Sequence, residues 1–136
     1  MNEEEITRTK VPGDERLAFL PKHLGTQNLW IGQNLFPAYL DKLSVDYKGG
    51  YWEFYELSNG GWYMAPSGEQ RYQMRWGGNY YEGEMSADAA GITASLYALC
   101  ELANTTEEDS LIQAYHWLRE YAAQHPEWEE IYQAID

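Results

Sequence analysis

Glu53 and Glu56 stand among aromatic residues in the stretch GGYWEFYELSNGGWYMAP (Gly49–Pro66), and Glu82 and Glu84 follow one hairpin later. Carboxylates beside tryptophan and tyrosine are the ingredients of glycoside hydrolysis, in which rings stack on the sugar and two carboxyls share the acid and base work. The spacing counts against that pairing. Side chains alternate along a strand, so residues 53 and 56 project to opposite faces, and Arg71 is expected to partner Glu84 across the second hairpin. A small carbohydrate-active enzyme using Glu53 and Glu56 is kept as the alternative of a different class. Its signature would be an open cleft with the two carboxyls about 5–10 Å apart.

Other chemistries are less well provided for. His23, His116 and His125 lie far apart and form no HxxxH, HExxH or mixed Cys/His spacing. Cys100 falls within an apolar helical pattern and is expected to be a buried, inert thiol. The glycine pairs make no phosphate loop: no GxxxxGK(S/T) occurs, and Asn59-Gly60-Gly61 lies between two strands. No catalytic, metal-binding or cofactor-binding residue is assigned, and neither a cofactor nor a small-molecule substrate is expected.

Charge narrows the partners. The chain has 22 acidic and 9 basic residues, a net charge of −13. Exposed aromatics can stack on the bases of a single strand, but binding nucleic acid requires a basic footprint that the sequence lacks, so no direct binding is expected. The acids are uneven: Glu101–Asp136 carries nine of them against Arg119 alone. That stretch is either a solvated face or a surface aimed at a basic partner. No apolar run approaches the roughly 20 residues of a membrane helix, the first residues lack the basic start of a signal peptide, and a lone cysteine cannot form an internal disulfide. A bacterial cytoplasmic protein without membrane contact is expected.

The elements that must position these residues read as an α+β fold. It has a small antiparallel meander of about four strands, packed with several helices in a single domain over 1–136. Residues 1–13 are polar and expected to form a flexible segment. Helices are expected over about Glu15–His23 and Leu29–Tyr47, interrupted by Pro21, Gly32 and Pro37. Tyr51–Leu57 and Trp62–Ala65 form a hairpin turning on Asn59-Gly60, which sets Leu57 opposite Trp62 and Tyr55 opposite Met64. Both its faces are apolar, so it is either covered on two sides or leaves an aromatic surface open.

A second hairpin turns on Gly77-Gly78 and pairs Met74 with Tyr81 and Arg71 with Glu84. Ser86 is expected to cap a helix running through Asn104, with Asp88 in its first turn. Thr106 and Asp109 approximate a capping box for the next helix, and Pro126 is expected to open the last one.

FYELSNGGWYMAP (Phe54–Pro66) followed by GEMSADAAGI (Gly83–Ile92) resembles the ArdB/KlcA antirestriction family. LDKLSVDYKGGYW (Leu40–Trp52) and HWLREYAAQHPEWEEIYQAID (His116–Asp136) are also similar to its pattern, whereas Gln27–Phe36 carries no such landmark. The resemblance implies a small α/β protein of plasmids and other mobile elements. Such a protein shields incoming DNA from host type I restriction-modification systems, with no catalytic activity and no cofactor. The implied partner is the type I complex or an associated host protein. Mimicry of DNA by acidic side chains is the competing mechanism. Over Leu17–Cys100, however, eight acids meet five bases, a mixed surface that fits protein contact or an indirect route better than a charge rod. Glu53, Tyr55, Glu56 and Tyr63 are the candidate interaction surface left exposed by the hairpin.

Overall fold

The computed structural model describes residues 4–136. In chain order its elements are β1 (Arg8–Lys10), a single 3-10 turn (Gly13–Glu15), α1 (Arg16–Leu24), α2 (Thr26–Leu43), β2 (Trp52–Leu57) and β3 (Trp62–Pro66). They continue with β4 (Arg71–Trp76), β5 (Tyr81–Ser86), α3 (Ala87–Thr106), α4 (Asp109–Ala123) and α5 (Trp128–Ile135). The strands form two antiparallel sheets, β1-β2-β3 and β4-β5, around one hydrophobic core. The fold is α+β. No helix among the described residues is long and apolar enough to cross a membrane.

The first hairpin is covered on both faces. Trp52, Phe54, Trp62 and Met64 alternate with Glu53, Tyr55, Tyr63 and Ala65. The first set meets α1 and α2: Phe19 stacks on Phe54 at 4.6 Å and sets its edge to Trp62 at 5.6 Å, contacts worth about 0.5–1.5 kcal/mol each beyond area burial. The second set meets α3 and α4. Tyr63 stacks between Tyr55 and Tyr121, and Gly91 lets α3 lie directly on Ala65. The outer edge of β3 is closed by a side chain. Ser95 Oγ donates to the Met64 carbonyl at 3.1 Å and accepts from its N–H at 3.3 Å, blunting an edge that would otherwise template pairing.

Both hairpin registers depart from expectation, with different consequences. Phe54 faces Met64 and Glu56 faces Trp62, one residue away from the register of a two-residue turn. The loop instead has three residues, Ser58-Asn59-Gly60, with Gly60 at φ +101, and closes through Gly60 N to Leu57 O and Leu57 N to Gly61 O. A type I turn ending in a left-handed glycine bulge does this. The slip moves Trp62 and Met64 to the face of Phe54. In the second hairpin the loop has four residues, Gly77–Tyr80, so Met74 faces Gly83 and Tyr72 faces Met85. A slip of two keeps every side chain on its expected face, and Arg71 Nε still reaches Glu84 at 2.8 Å along a diagonal.

The N-terminal segment is also corrected. Arg8–Lys10 pairs with Leu57–Tyr55, and Gln124 clamps the chain before it, accepting from Ile6 N at 2.9 Å and donating to Glu4 O at 3.2 Å. The strand forms because β2 would otherwise be an open edge. Residues 1–3 of that segment lie outside the described residues.

Pro21 and Pro37 are accommodated within continuous helices. Gly32 serves close packing, since a Cβ there would press on Leu24 Cδ1. Ser86 caps α3 by accepting from Ala89 N. The Thr106–Asp109 box does not form: Thr106 ends α3, where its hydroxyl donates to Leu102 O, and Glu108 stands at the N-cap of α4. Pro126 precedes α5, which begins at Trp128.

Candidate functional site

A polar cluster that ties four elements together centres on Asp88, placed in the first turn of α3 by the Ser86 cap. Its Oδ1 accepts from Arg8 Nη1 at 2.5 Å and from Tyr63 Oη at 2.7 Å. Its Oδ2 lies 2.8 Å from Nε2 of His125. His125 Nδ1 accepts from Glu127 N at 2.9 Å, so the proton of the neutral ring sits on Nε2 and is donated to Asp88. Arg8 Nη1 also donates to Tyr63 Oη at 2.8 Å, and the guanidinium lies over the Tyr55 ring at 4.3 Å. One carboxylate thus joins β1, β3, α3 and the α4–α5 junction.

The electrostatics follow from burial and company. Burial pushes the Asp88 carboxyl up, but hydrogen bonds from His125 and Tyr63 and the charge of Arg8 outweigh it and hold the group below its ordinary value. Burial, then the nearby Asp88 charge, drives the Tyr63 hydroxyl far above the ordinary tyrosine range. A carboxylate kept ionised and a phenol kept neutral, each held by hydrogen bonds from neighbouring elements, make a latch rather than an acid–base couple. Beside the latch Ser86 donates to Glu127 Oε2 at 2.5 Å, and Ser86 N donates to Oε1 at 3.0 Å, tying the start of α3 to the start of α5.

The structure separates the four residues expected at an exposed hairpin face. Tyr63 is fully buried and Tyr55 is 8% exposed, because α3 and α4 cover that face; their expected exposure is corrected. Glu53 and Tyr55 line a cavity of about 270 Å³ together with Arg8, Lys10 and Asp88. Glu56 lines a different one beside Phe19 and Lys22. Glu53 lies 3.6 Å from Arg16 and 3.7 Å from Lys10. Glu56 accepts from Lys22 at 2.9 Å and from His23 at 3.0 Å, and these bonds hold its carboxyl below the ordinary value. The two acids share no cleft, and Glu56 is tuned away from a proton donor.

Cys100 lies exposed on α3. The apolar side of that helix is broad but leaves Cys100 and Glu101 outward, so the expected burial fails by one step of the helical wheel. Arg8 and His125 were missed as partners of Asp88 because nothing in the spacing connects positions so far apart. Only the Ser86 cap marked where Asp88 would stand.

A family model described as antirestriction protein matches residues 45–136. The chain is 44% identical over 138 residues to antirestriction protein KlcA of Escherichia coli, covering 98% of this chain and 97% of that one. It is 33% identical over 129 residues to the putative antirestriction protein YubI of Escherichia coli strain K12, covering 90% of each. Its fold is similar to a solved structure with a TM-score of 0.90, 45% identity and 100% of both chains covered. That work describes the KlcA and ArdB proteins as showing a novel fold and antirestriction activity against type I DNA restriction systems in vivo but not in vitro.

Proposed function

The chain belongs to the antirestriction protein family, and from that premise we propose that it counteracts host type I restriction-modification systems without catalysis, by contact with the restriction complex or an associated host protein, or by indirect interference with that machinery, in the bacterial cytoplasm. The full-length likeness to the KlcA and ArdB structure carries this reading. Our candidate contact surface is the mouth of the latch, where Arg8 and Lys10 are exposed and Glu53 and Asp88 half-buried around one cavity.

Protein contact is favoured over DNA mimicry by what the acids do. Of the nine carboxylates in Glu101–Asp136, six accept a hydrogen bond from a side chain elsewhere in the fold. Glu101 accepts from Tyr39, Glu108 from Asn28, Glu120 from Asn59, Glu127 from Ser86, Glu130 from Tyr81 and Asp136 from Arg119. Their positions are set by the tyrosine, asparagine, serine and arginine donors they staple, not by a phosphate spacing. A mimic needs rows of carboxylates free to replace the backbone of DNA.

The test is plating of unmodified phage on cells carrying a type I system, with and without the protein, while methylation of surviving DNA is followed. Restriction relieved with methylation intact supports contact that spares the shared DNA channel. Loss of both activities restores mimicry. Restriction unchanged across several type I systems, with the protein shown folded and expressed, overturns the reading.

A further inference from the structure

From Leu24 through Leu40 the chain has no Asp, Glu, Lys, Arg or His, the longest such run in the sequence. Nearly all of it lies in α2, whose inward side chains Phe36 and Leu40 are fully buried. The outward face is formed by Gln27, Trp30, Ile31, Asn34 and Ala38, all exposed at helical spacing. Trp30 keeps 77% and Ile31 66% of its surface in solvent. In a chain of net charge −13, an exposed helix face bearing tryptophan and no charge is costly to solubility. Its composition is that of an interface core, where charged residues are depleted and tryptophan dominates the binding energy.

The flank of α2 gives the chemistry of what would cover it. Asn28 Nδ2 donates to Glu108 Oε2 at 2.8 Å, and Tyr39 Oη donates to Glu101 Oε1 at 2.5 Å. Glu101 of α3 and Glu108 of the α3–α4 connection therefore border this helix along one side, where Lys42 also lies, 5.0 Å from the Tyr39 ring. A second copy would bring the same border and another −13 to the contact. A surface carrying lysine or arginine beside an apolar pocket would be attracted instead.

We propose that the outward face of α2, centred on Trp30 and Ile31, is a docking surface for a protein that presents an apolar pocket bordered by basic residues. The indole fills the pocket, and Glu101 and Glu108 face the basic border. This surface is separate from the Asp88 latch, and binding through it is read out without any restriction assay.

The experiment places the photo-crosslinker p-benzoylphenylalanine at Gln27 or Asn34, which flank Trp30, and at Gln113 on α4 as a control, in bacteria carrying a type I system. The expected result is an adduct with one other protein from positions 27 and 34 and not from 113, identified by mass spectrometry. That protein, purified, should bind the unaltered chain, more weakly as salt is raised. Its affinity should be at least about tenfold lower for Trp30→Gln and for Ile31→Gln, both of which keep the unaltered melting curve because neither side chain is in the core. No adduct, an adduct only with a second copy, an adduct equally strong from position 113, or binding indifferent to both substitutions overturns the proposal.

Discussion

Nε2 of His125 lies 2.8 Å from Oδ2 of Asp88, joining the turn between α4 and α5 to the first turn of α3 across 37 positions of sequence. Arg8 and Tyr63 complete the coordination of the same carboxylate. Removing it leaves the Tyr63 hydroxyl and the imidazole N–H without their acceptor and the Arg8 guanidinium without its counter-charge. Asp88→Ala is expected to lower unfolding free energy by about 3 kcal/mol, measured by urea denaturation at neutral pH. Asp88→Asn, which keeps one acceptor oxygen, should lose less; equal stability of both variants with the unaltered chain would dismiss the latch.

Stability should fall on acidification in two stages. Burial, outweighing the bond to Glu56, holds the His23 imidazole below its ordinary value of 6.5. The unfolded chain therefore takes up that proton first, and the stabilisation present above pH 6.5 declines as pH drops through and below it. Asp88, held below its ordinary 3.8, contributes fully above that value and loses its contribution as pH falls toward the lower folded one. His23→Gln is expected to flatten the upper stage in urea midpoints taken from pH 8 to 3, leaving the lower one in place.

Gly91→Ala sets two effects against each other. Alanine gains about 1 kcal/mol of helix propensity over glycine. Its Cβ, however, would overlap the Cα and Cβ of Ala65, atoms of a buried strand that cannot swing aside. Overpacking of this kind costs about 1–3 kcal/mol or more, so a lower thermal midpoint is expected; a raised one would show that α3 does not lie on β3 this closely.

Gly60 carries the left-handed position of the three-residue loop at φ +101, with the Trp117 ring 3.1 Å from where a Cβ would stand. Gly60→Ala should cost about 1–2 kcal/mol. A substitution without effect would favour a different loop geometry and, with it, a different register for Trp62.

Cys100 is exposed, so Ellman's reagent should titrate one thiol in the native protein at a rate close to that in urea. A thiol that reacts only after denaturation would return it to the core.

Much was legible in the sequence because it is set by local physics. Alternation fixed two apolar faces for the first hairpin, and the Ser86 cap fixed where α3 begins. The second hairpin kept its faces although its loop was read two residues short, since an even slip conserves the pleat. The first did not, because bulge and two-residue turns share the same Asn-Gly signal and differ by a single residue. Tertiary structure alone decided which apolar face met which helix, and hence that Tyr55 and Tyr63 are covered while Trp30 is not. It also decided that a polar N-terminal stretch becomes a strand, because only a finished β2 offers the edge to pair with. The Asp88 latch belongs to the same class: its members are ordinary residues in sequence, and their chemistry arises from the low-dielectric space into which separate elements bring them.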